Sequence, residues 1–102
     1  MIYTIDEIKE KAIPIAIKYG VDSLAIFGSY ARNEATSKSD IDFFVEKGEL
    51  RTLFQMGAMQ LDLEEALGQN VDLITLSGIK NKEFCDEIIN ESIKLYEKQQ
   101  KK

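Results

Sequence analysis

Apolar and polar positions along the chain fall into a succession of short segments whose period alternates between that of a helix and that of a strand. Thr4 and Glu7 form a T-x-x-E capping box, and Ile5, Ile8, Ala12, Ile15, Ala16 and Tyr19 follow at roughly helical spacing. Gly20 suits the C-terminal cap of that helix, while Pro14 inside it predicts a kink or a split. Leu24-Ala25-Ile26-Phe27, ending at Gly28, reads as a buried strand, and Ser29 as the N-cap of a short helix through Tyr30, Ala31 and Arg32. Ile41 to Val45 reads as a second strand. From about Leu50 to Leu67 the spacing is helical again, through Leu50, Leu53, Phe54, Gly57 and Leu61, with Gly68 as the stop. Val71 to Thr75 is a third strand, and Ile79 to Asn90 a helix with Phe84, Cys85, Ile88 and Ile89 along one stripe. Ile93 to Tyr96 reads either as a short final strand, the preferred reading, or as an extension of that helix. This alternation of helices and strands predicts a small α/β (α+β) fold, a mixed sheet flanked by helices, with residues 1–102 forming one domain.

Composition narrows the chemistry. The chain is 44% hydrophobic and 30% charged over 102 residues, ordinary for a globular domain. No apolar run approaches the ~20 residues that span a bilayer, and the start of the chain lacks the basic and apolar regions of a signal peptide, so no membrane role is expected. The single Cys85 cannot form an internal disulfide, which points to the cytoplasm, and its apolar surroundings predict a packed core thiol. A net charge of −5 argues against direct nucleic-acid binding, which draws on clustered Lys and Arg; the one basic run, Lys98 to Lys102, reads as a frayed end. The chain has no histidine. That excludes His-based triads and the usual zinc sites, leaving carboxylates, hydroxyls, Lys, Arg or a hard metal ion as catalytic means.

The informative stretch is Gly28-Ser29-Tyr30-Ala31-Arg32, a ten-residue spacer after Ser29, then Asp40-Ile41-Asp42-Phe43-Phe44-Val45. Side chains two apart on a strand share a face, with Cα atoms roughly 6.5–7 Å apart, so Asp40 and Asp42 project together while Ile41, Phe43 and Val45 enter the core. Two such carboxylates repel unless a cation neutralises them, and oxygen-only ligation suits Mg²⁺ or Mn²⁺. Asp72, the odd acid in Val71-Asp72-Leu73-Ile74-Thr75, joins them if its strand is a neighbour. Two metals about 3.5–4 Å apart would then clamp an in-line displacement, and Asp72 would be the base. Gly28 permits close backbone approach, and with the Ser29 hydroxyl and Arg32 it suits triphosphate oxygens; Arg32 also has Glu34 nearby as a surface partner.

The Gly28-Ser29, spacer, Asp40-Ile41-Asp42 pattern resembles the signature of the DNA polymerase β-like nucleotidyltransferase superfamily. Gly28 to Arg32, Ser39 to Asp42, Val71-Asp72-Leu73 and Leu95-Tyr96-Glu97 are most similar to minimal nucleotidyltransferases, the MntA-type antitoxins of HEPN–MNT toxin–antitoxin pairs. The resemblance implies Mg²⁺–ATP binding, with Asp40, Asp42 and Asp72 as metal ligands and catalytic triad, and Gly28 and Ser29 holding the triphosphate. It further implies transfer of AMP to a tyrosine hydroxyl of a cognate HEPN ribonuclease, silencing it. One departure is Asn33, where the family often has glycine; Asn tolerates left-handed backbone, so the turn survives. Three other readings stay open at this level: an antitoxin or scaffold that acts by contact alone, a small-molecule nucleotidyltransferase of the aminoglycoside type, and a metal site that merely holds the fold together.

Overall fold

The structure, a computed structural model, describes residues 2–99; the last three residues of the Lys98–Lys102 run lie outside the described residues. Elements alternate as α1 (Ile5–Tyr19), β1 (Ser23–Phe27), α2 (Gly28–Ala31), β2 (Ile41–Glu46), α3 (Leu53–Leu67), β3 (Val71–Thr75), a 3-10 turn (Leu76–Gly78), α4 (Lys82–Glu91) and β4 (Ile93–Glu97). The strands form one sheet in the order β3-β2-β1-β4. β1 runs antiparallel to β2 and β4, and β2 runs parallel to β3, so the predicted mixed sheet is what the chain forms.

Local chemistry accounts for the helix ends. The Thr4 hydroxyl accepts the Glu7 N–H while the Glu7 carboxylate accepts the Thr4 N–H, closing the capping box; Thr52 and Gln55 repeat it at the start of α3. Gly20 and Gly68, at φ +67° and +66°, stop α1 and α3 in the left-handed conformation that glycine adopts without strain. Pro14 does not split α1, which runs unbroken from Ile5 to Tyr19.

α1 and α3 cover one face of the sheet around a core that includes Ile8, Ala12, Leu24, Ile26, Phe43 and Leu63. α4 covers the other face through Ile88, packed with Ala25 and Phe44. Two predicted stripes differ from this arrangement. On α3 the buried side is Met59, Leu63 and Leu67, whereas Leu53, Phe54 and Leu61 are 90%, 86% and 65% exposed. Leu50 is buried but precedes the helix. On α4 only Ile88 is buried, with Phe84 and Ile89 exposed on either side. Cys85 is half-buried beside the Leu76 and Ile79 carbonyls, outside both core clusters. Among the described residues no helix is long and apolar enough to cross a membrane.

Candidate active site

The parallel pairing of β2 with β3 sets Asp42 level with Asp72. Val71 and Leu73 turn into the core, so Asp72 stands on the opposite, exposed face. Strands lie about 4.8 Å apart, which puts the two carboxylates side by side. Asp40 is exposed and immediately precedes β2, after a turn in which Thr36 and Ser39 bond to each other. The electrostatic consequence falls on half-buried Asp42, whose pKa rises to about 6. Burial is the largest cause, followed by the Asp72 charge and a hydrogen bond to Asp72, then the charge of Asp40; Arg32 opposes them. The structure thus brings the three predicted acids into mutual interaction around Asp42.

Gly28 is where this cluster meets the end of β1. Its φ is +73°, a conformation that favours glycine, and a Cβ there would lie 2.3 Å from the Asp42 carboxylate oxygen Oδ2 and force that carboxylate to shift. The close approach at Gly28 is therefore to Asp42 itself. α2 begins at Gly28 with Phe27 in the N-cap position and no side-chain cap, so Ser29 is not the N-cap. The strand ends at Phe27 as the apolar run suggested, but the helix begins two residues earlier than a Ser29 cap would set it, so half-exposed Ser29 lies inside the first turn. Buried Tyr30 anchors the turn by donating its hydroxyl to Gln69 at 3.1 Å. Asn33, at φ +59°, takes the left-handed conformation expected of it.

Arg32 lies one turn beyond Gly28 and is held by two acids. Its Nε donates to Glu34 at 2.6 Å and its guanidinium to Glu91 at 3.1 Å. The Glu34 pair is the surface partner foreseen for it. Glu91, at the C-terminal end of α4, also accepts the Gly28 N–H at 2.8 Å. It belongs to the site and went unrecognised in the sequence, because an acid closing an amphipathic helix carries no distinguishing pattern.

The donor set can be tested against a hard cation. Among the described residues no group of three or more acids is gathered closely enough to hold a metal ion; Asp42 and Asp72 stand level on two parallel strands, and Asp40 acts on Asp42 through its charge. Their chemistry fits a divalent ion nonetheless. The donors are oxygen only, and burial, together with the charges of Asp72 and Asp40, holds a proton on Asp42 to unusually high pH.

Comparisons with known sequences and structures identify the family. The family model described as Polymerase beta, Nucleotidyltransferase matches residues 10–101. The chain belongs to this family. A candidate protein adenylyltransferase of Methanocaldococcus jannaschii is 47% identical over 89 residues, covering 87% of this chain and 95% of that protein. A solved candidate minimal nucleotidyltransferase superposes with a TM-score of 0.74 at 32% identity, covering 83% of this chain and 86% of the other. The MNT antitoxin fold in complex with a tri-AMPylated Shewanella oneidensis HEPN toxin is also similar, with a TM-score of 0.70 over 91% of this chain and 72% of the other. At 20% identity that last likeness speaks for the nucleotidyltransferase fold alone. In this nucleotidyltransferase Asp42 lies on β2 and Asp72 on β3, Asp40 immediately precedes β2, and the Gly28–Ser29 turn follows β1.

Proposed function

We propose that this nucleotidyltransferase transfers AMP from ATP to a hydroxyl of a protein partner, a tyrosine of a cognate HEPN ribonuclease toxin, and serves as its antitoxin in the cytoplasm. The observation that carries the reading is the register of Asp42 with Asp72 beside Gly28. The 47% identical relative is a candidate protein adenylyltransferase, and the complex of similar fold joins an MNT antitoxin to an AMPylated HEPN toxin; both support the protein acceptor.

In this reading Asp40, Asp42 and Asp72 hold Mg²⁺, two ions being the expected number and Mn²⁺ an acceptable substitute. The metal supplies neutralisation of phosphate charge. Ser29, the turn at Gly28 and Arg32 bind the triphosphate, Arg32 exchanging part of its pairing with Glu34 and Glu91 for phosphate oxygens. Asp72 accepts the proton of the tyrosine hydroxyl. The hydroxyl oxygen then bonds to the α-phosphorus, the bond from that phosphorus to the bridging oxygen breaks, and pyrophosphate leaves with the electron pair. Fixed charge and positioning do most of the work in such transfers.

The test is to mix the protein with α-labelled ATP, Mg²⁺ and the protein encoded beside it. Label on that neighbour, lost in Asp42→Asn, is the expected result. An unlabelled neighbour alongside an active control enzyme would refute catalytic transfer, and toxin neutralisation that persists in Asp42→Asn would identify contact as the means.

A further inference from the structure

α3 has two apolar sides. Met59, Leu63 and Leu67 face the core. On the opposite side Phe54 and Leu61 stand 86% and 65% exposed, with Gly57 and Ala58 between them, lining a shallow groove that Leu53 borders. This is the i, i+3/i+4, i+7 spacing of a helix-packing face, turned toward solvent. Gly57 is its least explained member. A side chain there would meet nothing within 4 Å, so the fold does not require glycine, although mid-helix glycine costs roughly 1 kcal/mol against alanine. What a missing side chain permits is the close approach of another backbone.

We infer that this face is a docking surface for a second copy of the chain, with the two α3 helices antiparallel across a two-fold axis between Gly57 and Ala58. The pattern is self-complementary about that point. Phe54 comes level with Leu61 of the second copy, Gly57 with Ala58, and Arg51 with Glu64 next to Glu65. Arg51 is exposed and forms no ion pair among the described residues, and Glu65 is exposed at the other end of the helix. Antiparallel pairing therefore sets a free cation and the positive helix end against the acids and the negative end of the second copy. Stable dimers bury about 800 Å² per partner, and a stripe of three large side chains offers roughly half of that, so the association is weak and concentration-dependent.

Sedimentation velocity across about 10 μM to about 1 mM reads such an equilibrium directly. The wild type is expected to shift from monomer to dimer over that range. Leu61→Glu should abolish the shift, and Arg51→Glu should weaken it about tenfold. The double variant Arg51→Glu/Glu65→Arg should restore it. All three positions are on the surface, and circular dichroism verifies that each variant folds. A wild type that stays monomeric throughout would overturn the inference, as would a Leu61→Glu variant that dimerises normally. Failure of the charge reversal to restore association would overturn the antiparallel register. If the face is covered only when the toxin partner is added, with the chain alone remaining monomeric, the assignment to a second copy is likewise wrong.

Discussion

Replacing Asp42 by Asn should make the protein more stable at neutral pH while removing its chemistry. The Asp42 carboxyl sits half-buried against Asp72 and Asp40, and its pKa stands at about 6 against an ordinary value of 3.8. A native-state pKa above the unfolded one means the folded chain holds the proton more tightly. The associated stability is fully present below about pH 4 and is lost as pH rises through about 6. Two pKa units correspond to about 3 kcal/mol as a ceiling, and water reaching the half-exposed carboxylate reduces that to on the order of 1 kcal/mol. Asn keeps the shape and cannot ionise. In EDTA at pH 7.5, thermal unfolding of Asp42→Asn should therefore lie about 4–8 °C above wild type for a domain of this size. The gap should close near pH 4. Millimolar Mg²⁺ or Mn²⁺ should raise the wild-type midpoint and leave the variant's unchanged, since an ion that binds only the native carboxylates adds stability by mass action. A variant no more stable than wild type at pH 7.5 would refute the electrostatic account. A gain of equal size at every pH would attribute it to packing rather than charge.

Gly28→Ala forces a side chain into the left-handed region and against Asp42, so the carboxylate must move. Label transfer should fall by about 100-fold while chemical denaturation shows a loss of only about 1–2 kcal/mol. Glu91→Ala strips the Gly28 N–H of its acceptor and Arg32 of one partner; a loss of about 1–3 kcal/mol in urea unfolding is expected. Glu91→Gln retains an amide oxygen for that N–H and should lose clearly less. Leu63→Ala opens a cavity beneath α3 at a fully buried position and should destabilise by about 2–5 kcal/mol by the same assay, without altering the label transferred per folded molecule.

Much of the fold could be read from local pattern because its signals are local. The Thr4–Glu7 box, the left-handed Gly20 and Gly68, and the alternation in Val71 to Thr75 each act within a few residues, and each appears as expected. The side of α3 that is buried could not be read in this way. That helix carries apolar residues on two faces, and periodicity within the chain does not say which face the sheet will take. Asp42 and Asp72 were marked by their position among strand residues, but their side-by-side placement depends on a parallel pairing that no local feature encodes. Glu91 reaches Gly28 from 63 residues away in sequence, and only the packing of α4 reveals the contact. The helix after β1 starts two residues before the expected Ser29 cap, because Phe27 serves as the N-cap without any side-chain hydrogen bond that a sequence pattern could mark.

The central claim is that the acids of β2 and β3 gather a divalent cation at a bound nucleotide. A crystal of the protein grown with Mn²⁺ and a non-hydrolysable ATP analogue would test it through the anomalous signal of the metal. The account predicts a peak between Asp42 and Asp72, within reach of Asp40, with the triphosphate over the Gly28–Ser29 turn. A nucleotide bound elsewhere, or manganese absent from that cluster while the analogue is in place, would contradict it.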